Sequence, residues 1–185
     1  MEETASREVM WNISHSLTWV MYLLFLVALG FCVYFLVKRW RLMSIGTPVD
    51  RTSNWKARAK GMIVDALLQL RVLKKPGAGI MHLGMYVGMI IMLIATAVTA
   101  AQFDLGIQLL YGDFYLYFMS LVVDLAGLAF CIAMVACIIR RIVNKKLDTK
   151  PGDIIVLVLL LVIGMSGFVG EGLRIVGTDD PWRAW

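Results

Sequence analysis

The chain has 185 residues, of which 60% are hydrophobic, and its mean hydropathy is +0.78. A soluble domain is typically about 45–50% apolar, so the excess apolar surface is expected to face lipid, which excludes an ordinary water-soluble domain. The net charge of +5 would suit a nucleic-acid-binding protein. The basic residues, however, lie in two segments between apolar runs, and this placement argues against nucleic acid as a partner.

Four apolar runs are predicted to cross a membrane as helices. A hydrocarbon core of about 30 Å needs roughly 20 apolar residues at 1.5 Å each. The predicted spans are residues 13–37, 80–101, 114–139 and 154–169. The first run is not read as a signal peptide, because the preceding sequence MEETASRE is acidic and the run is too long for a signal core. The predicted fold is therefore an all-α membrane bundle of four helices.

The distribution of charge predicts the orientation of these helices. Ten of the 18 lysine and arginine residues lie between positions 38 and 75, and five lie between 140 and 150. Basic loops remain in the cytoplasm. Both ends of the chain are therefore predicted to lie outside, in a multi-pass membrane protein.

The first basic segment is predicted to contain an amphipathic helix over residues 55–73. Apolar residues recur there at helical spacing, and lysines and arginines mostly occupy the remaining faces. Such a helix lies in the membrane interface with its apolar side down. It serves either as a simple surface anchor or as a docking surface for a cytoplasmic partner.

Two histidines are candidates for chemistry. His82 lies two residues into the second run, near the predicted cytoplasmic side, and Gly84 and Gly88 fall toward the opposite helix face. Small-residue strips favour close helix packing, so the His82 face is free to look into the bundle. The residue alone leaves open a haem ligand, a hydrogen bond to a quinone, or a histidine that binds water at headgroup level. His15, between Trp11 and Trp19, fits an interfacial aromatic belt.

Asp124 is the acidic residue inside the third run. An unpaired carboxylate at that depth costs at least roughly 2.5 kcal/mol. It is therefore protonated, hydrogen-bonded, for example to Ser120, or next to a watery or cofactor-filled cavity. A structural helix-to-helix bond and a proton-handling role at a quinone are the two interpretations.

The fourth run and the cysteines give weaker signals. Gly164, Gly167 and Gly170 recur every three residues, so a neighbouring helix or a flat cofactor could approach that side closely. Glu171 and Arg174 are three residues apart and are predicted to form an ion pair. The cysteines at positions 32, 131 and 137 show no metal-ligand spacing, so no iron–sulfur cluster is predicted within this chain.

Four segments together resemble a known family. In order, they are REVMWNISHSLTW, QLRVLKKPGAGIMHLGMYVG, YGDFYLYFMSLVVDLAGLAF and GFVGEGLRI. They resemble the membrane domain shared by nitrate reductase gamma subunits and heterodisulfide reductase-related proteins. The likeness runs through nearly all of residues 1–185. It is strongest to the electron-transferring flavoprotein:menaquinone oxidoreductases, in which this domain is fused to a cysteine-rich iron–sulfur domain.

The resemblance implies a haem and a set of partners. His82 stands where the family has the helix-two ligand of haem b. Met92 stands where the gamma subunits have a second histidine, so at most one haem is expected. The family domain has a fifth helix, so the chain up to Trp185 corresponds to its first four helices, and the rest is either a separate polypeptide or part of a longer protein. The implied partners are a cytoplasmic iron–sulfur domain, electron-transferring flavoprotein and the lipid bilayer.

Two functions follow as hypotheses. The first is a membrane redox subunit that passes electrons between a cytoplasmic iron–sulfur partner and menaquinone through haem b, with His82 and Asp124 as its site residues. The second is a cofactor-free structural anchor or assembly subunit of a respiratory complex. A transporter is disfavoured, because a substrate pathway usually shows more polar groups within the membrane than Asp124 alone.

Overall fold

The chain is all-α in the computed structural model, which describes residues 6–46, 53–144, 147–178 and 180. Within these ranges it contains helices and one isolated β-bridge but no strand. Four helices are long and apolar enough to cross a membrane. They are α1 (His15–Met43), α4 (Pro76–Leu105), α5 (Phe114–Val143) and α6 (Pro151–Thr178). The predicted all-α membrane fold is therefore confirmed, and the chain is a multi-pass membrane protein.

The chain divides into two compact units. Residues 12–63 form one unit, and residues 1–11 together with 64–185 form the other. The first unit contains α1, which begins at an N-cap where the Ser14 side chain accepts a hydrogen bond from the Leu17 backbone N–H at 3.4 Å. Most large apolar side chains of α1 are exposed, as expected of a helix whose surroundings are lipid.

The segment predicted as one amphipathic helix over residues 55–73 is helical but broken. It consists of α2 (Trp55–Gly61), a π-helical stretch (Met62–Leu67) and the short α3 (Leu70–Leu73). The break lies at Gln69, whose backbone is left-handed with φ 56°. Its side-chain amide donates to the Ala66 carbonyl at 2.9 Å, which satisfies an acceptor that the end of a helix leaves without a partner.

The second unit is built around α5, which packs against both α4 and α6. Helices α4 and α5 approach closely because α4 presents glycines to α5. A Cβ atom on Gly88 would lie 2.8 Å from the Ala126 carbonyl oxygen, and one on Gly84 would lie 3.1 Å from the Ala133 Cβ. The predicted small-residue strip is thus a packing surface.

One end of the second unit, here called the N-terminal end, carries residues 6–11 and the loop between α4 and α5. Helix α4 ends at Gly106, whose φ of 67° is left-handed, a backbone conformation that glycine adopts without strain. The Gln102 side-chain oxygen accepts hydrogen bonds from the backbone N–H groups of Leu109 and Leu110, at 3.1 and 2.7 Å. These bonds hold the loop against the end of α4.

The opposite end, here called the basic end, is where α5 ends and α6 begins. Arg141 of α5 forms an ion pair with Asp153 of α6 at 2.9 Å. Asp153 also accepts from the Lys150 backbone N–H at 3.3 Å, and Pro151 occupies the first position of α6, where its missing N–H is harmless.

Candidate functional site

A cavity of about 340 Å³ opens in the half of the second unit nearer its N-terminal end. Residues from α4, α5 and α6 line it, together with one side chain from the N-terminal segment. Helix α5 forms the back of the cavity, because within the described ranges α4 and α6 pack on α5 rather than closely on each other. The residues that line it include Arg7, Met92, Thr96, Asp124, Gly167 and Glu171.

Asp124 lies in the wall of this cavity. It is about a third of the way along α5, just after the π-helical stretch Phe114–Val122. Such wider turns are frequent at functional sites. The predicted bond to Ser120 is absent from the hydrogen bonds of the described residues, and no other described group bonds to the Asp124 carboxyl. Of the three situations considered from the sequence, the structure shows the carboxyl beside a cavity.

Gly167 leaves the α6 side of the cavity as bare backbone. A Cβ atom there would meet nothing within 4 Å, whereas one on Gly164, a turn earlier, would lie 3.0 Å from the Cys131 Sγ. The glycine series in α6 therefore has two roles. Gly164 permits packing on α5, and Gly167 contributes open space.

An ion network closes the cavity toward the N-terminal end. Arg174 is buried at 7% exposure and donates to Glu171 at 2.8 Å, to Asp180 at 3.1 Å and to the Tyr115 hydroxyl at 3.1 Å. The predicted Glu171–Arg174 pair is thus confirmed. Glu171 also binds Arg7 at 2.6 Å. One carboxylate is therefore shared between two guanidinium groups at the cavity wall.

The N-terminal segment is fixed on this end of the unit by its backbone. The Arg7 N–H donates to the Leu110 carbonyl at 3.1 Å, and Ser6 forms the isolated bridge with Tyr111. Val9 packs against the buried cluster that contains Leu110, and the Trp11 ring lies against the backbone of Gly177. These contacts determine where the Arg7 side chain lies.

His82 lies outside the cavity, on the exposed face of α4. Its ring is stacked with the Tyr86 ring at a centroid distance of 6.5 Å and an interplanar angle of 11°. The glycine strip packs on α5. On the His82 side of α4, Met85 packs against the buried cluster of Phe130, Cys131 and Met134, whereas Met89 and Leu93 are 53% and 68% exposed. The interpretation of His82 as a site residue stays a prediction. His82 and Met92, which lines the cavity, are ten residues apart, or about 15 Å of helix.

His82 can be compared with what a haem requires. Haem iron is held in its axial positions by protein side chains such as histidine. His82 is the only histidine whose side chain the structure describes, so the described residues fit one axial position and offer no second histidine. The structure describes the backbone of His15 at the start of α1 and not its side chain.

Sequence reasoning found Asp124 and the Glu171–Arg174 pair but missed the contributions of Arg7, Tyr115 and Asp180. Arg7 and Glu171 are 164 positions apart, and no periodicity links residues at that separation. Asp180 follows α6 and returns to Arg174 six residues earlier. The acidic and basic residues at this end lie in separate segments of the sequence, which gives no indication that they form one network.

One relative was found among curated proteins, the EtfAB:quinone oxidoreductase of Syntrophomonas wolfei subsp. wolfei. It is 29% identical to the chain over 164 residues, which cover 85% of this chain and 22% of the relative. The chain thus spans about a fifth of the length of this curated relative. No protein-family model and no solved structure matches the chain.

Proposed function

We propose that this chain is the membrane-embedded part of a quinone-linked oxidoreductase and that its cavity binds the headgroup of menaquinone. The observation that carries this proposal is the cavity itself, with the Asp124 carboxyl in its wall inside a membrane-spanning helix. The likeness to a protein named as a quinone oxidoreductase supports the reaction class.

The shape and chemistry of the cavity suit a lipid-soluble aromatic ligand. Its volume of about 340 Å³ lies within the usual range for small-molecule sites, roughly 300–1,000 Å³. Its walls are mostly apolar or bare backbone, with charged groups at Asp124, Glu171 and Arg7 and hydroxyl groups at Thr96 and Thr99. Few polar groups in an apolar pocket fix the orientation of a ligand, which matches a planar ring system carrying two carbonyl oxygens.

Reduction of a quinone consumes two electrons and two protons and yields the quinol. Asp124 is the proton-handling residue in this proposal, because its carboxyl faces the cavity and has no hydrogen-bond partner among the described residues. A carboxyl group placed within hydrogen-bond reach of an oxygen can transfer a proton to it as charge develops there. The carboxylate then regains a proton from water.

Electrons are proposed to arrive from the basic end. An iron–sulfur domain or subunit on the cytoplasmic side, reduced by electron-transferring flavoprotein, would dock there. The basic residues at positions 71, 74 and 75, just before α4, and the five between positions 140 and 150 support a cytoplasmic location for this end. The N-terminal end then lies outside a prokaryotic cytoplasmic membrane. His82, six positions after the start of α4, would supply one axial ligand of a haem b, which carries single electrons when bound.

A cavity-filling substitution tests the quinone site. Gly167→Leu introduces a side chain into the cavity without meeting any protein atom within 4 Å of its Cβ, and Gly172→Leu is a matched control on the same helix. Gly172 also has open space around it and does not line the cavity. We expect Gly167→Leu to abolish saturable binding of a short-chain 1,4-naphthoquinone by the full chain in nanodiscs. Equal binding by both variants would refute the site.

The haem assignment has a separate test. A reduced-minus-oxidised absorption spectrum of the chain purified with its natural partners should show a b-type band that His82→Ala removes. A band that is unchanged in His82→Ala assigns the haem to other residues.

The cofactor-free anchor remains the second candidate, and one observation favours it. His82 is exposed on α4. An anchor would show no b-type band in the purified complex and no saturable quinone binding by the chain.

A further inference from the structure

We propose that Arg7, from the N-terminal segment, is a ligand-binding residue of the cavity and donates hydrogen bonds to one carbonyl oxygen of the bound quinone. This inference rests on the proposed function. It assigns a role to a residue that precedes the first membrane helix.

Some N–H donors of the Arg7 guanidinium have no acceptor among the described residues. The guanidinium group carries five N–H donors, and among the described residues only Nη2 has an acceptor, the Glu171 Oε2 at 2.6 Å. The Arg7 side chain is 21% exposed and lines the cavity. No buried side-chain nitrogen of the described residues lacks a partner, so the remaining Arg7 donors open onto accessible space rather than onto packed protein.

The position of Arg7 is fixed from two sides. Its backbone N–H is bonded to the Leu110 carbonyl at 3.1 Å, and its side chain is held by Glu171. A long arginine side chain normally loses considerable rotamer freedom when it binds a ligand. Here much of that loss is incurred on folding, so the guanidinium is preorganised for an acceptor in the cavity.

The ion network places the Arg7 guanidinium, a fixed cation, at the cavity wall. The network holds two cations, Arg7 and Arg174, and two carboxylates, Glu171 and Asp180, so it is neutral overall. Within it, Glu171 binds Arg7 through Nη2, and the remaining Arg7 N–H groups present their positive partial charge locally. Negative charge develops on a quinone oxygen as electrons arrive, and a fixed cation beside that oxygen stabilises it.

Arg7 and Asp124 would then have different tasks. Arginine does not lose its proton in proteins, so Arg7 binds and polarises an oxygen but does not supply the proton. Asp124, in the wall of the same cavity, can supply it. Two electrons from the donor, one proton from Asp124 and one proton from water convert one quinone to one quinol. Asp124 then regains its proton from water, and Arg7 is unchanged at the end of the reaction.

The test compares two ligands that differ only in the carbonyl groups. Binding of 2-methyl-1,4-naphthoquinone and of 2-methylnaphthalene is measured on the full chain in nanodiscs for the wild type, Arg7→Met, Arg7→Lys and Gly167→Leu. Arg71→Met is the matched control, because Arg71 also pairs with a carboxylate, Asp65, but lies away from the cavity. We expect Arg7→Met to weaken quinone binding about tenfold to a hundredfold, the effect of losing a charged hydrogen bond. Binding of the hydrocarbon should change less than twofold.

The other outcomes distinguish failure of the Arg7 inference from failure of the proposed quinone site. If Arg7→Met weakens both ligands equally, Arg7 acts only by closing the end of the cavity, and the inference is overturned. If Arg7→Met changes neither ligand while Gly167→Leu abolishes both, the inference fails and the proposed quinone site stands. If Gly167→Leu changes neither ligand, the proposed site itself fails. Partial recovery of quinone binding in Arg7→Lys supports the role of the cation.

Discussion

Replacement of Arg174 by methionine should destabilise the second unit strongly. Arg174 is 7% exposed and donates four hydrogen bonds, two to Glu171 and one each to Asp180 and the Tyr115 hydroxyl. Removal of one member of a buried ion pair costs about 3–5 kcal/mol, because the remaining charge keeps its desolvation penalty. Both carboxylates retain a partner, since Glu171 keeps Arg7 and Asp180 still accepts from the Tyr115 hydroxyl at 3.2 Å. We therefore expect the free energy of unfolding to fall by about 3 kcal/mol, the lower end of that range.

The assay is reversible unfolding of the chain in mixed micelles, with Arg71→Met as the control. The Arg71–Asp65 pair has a similar length, 3.0 Å, but its side chains are 75% and 40% exposed. An exposed ion pair contributes about 0–1 kcal/mol, so this control should unfold nearly as the wild type does. Equal stability of Arg174→Met and Arg71→Met would refute the reasoning that the network at the N-terminal end is a structural element.

Three further predictions concern packing, the loop and proton transfer. Gly88→Leu should lower the free energy of unfolding by about 1–3 kcal/mol, the usual effect of overpacking, because its Cβ would lie 2.8 Å from the Ala126 carbonyl; Gly172→Leu, in open space, should not. Gln102→Leu should lower the free energy of unfolding by about 1–3 kcal/mol, because two loop N–H groups lose their acceptor. Hydrogen exchange of these two amides, measured by mass spectrometry, should become faster. Asp124→Asn should leave naphthoquinone binding within about twofold but slow quinol formation about a hundredfold, the usual contribution of a positioned proton donor, in a stopped-flow assay of the complex. Unchanged quinol formation would remove Asp124 from the mechanism.

The sequence was sufficient for the fold class, because the determinants of membrane helices are local. Length and apolar content predict a spanning helix without reference to tertiary contacts. Three of the four apolar runs lie wholly within long helices, and the first lies within α1 except for residues 13 and 14. The close approach of α4 and α5 was also predictable, since Gly84 and Gly88 lie on one face of α4. Helices extend beyond the predicted apolar runs. For example, α4 begins at Pro76, four positions before the predicted run at residue 80.

The candidate site was only partly predictable. Asp124 stands out in a sequence because an acid is unusual in an apolar run, but its surroundings depend on three helices that are distant along the chain. The helix breaks at Gln69, whose side chain donates to the Ala66 carbonyl three residues earlier. The apolar periodicity of the sequence continues through Gln69, so it does not reveal this local bond. What covers the His82 side of α4 was not predictable, because the glycine strip identifies one packing face of the helix and carries no information about the other.

Photoaffinity labelling with an azido-naphthoquinone tests the central claim most directly. The full chain in nanodiscs is irradiated with the probe, digested, and the labelled residues are identified by mass spectrometry. We predict adducts at cavity residues such as Met92, Thr96 and Phe168, suppressed by excess unlabelled naphthoquinone and lost in Gly167→Leu. Adducts spread over exposed apolar positions such as Leu93, with no suppression by unlabelled naphthoquinone, would contradict the account.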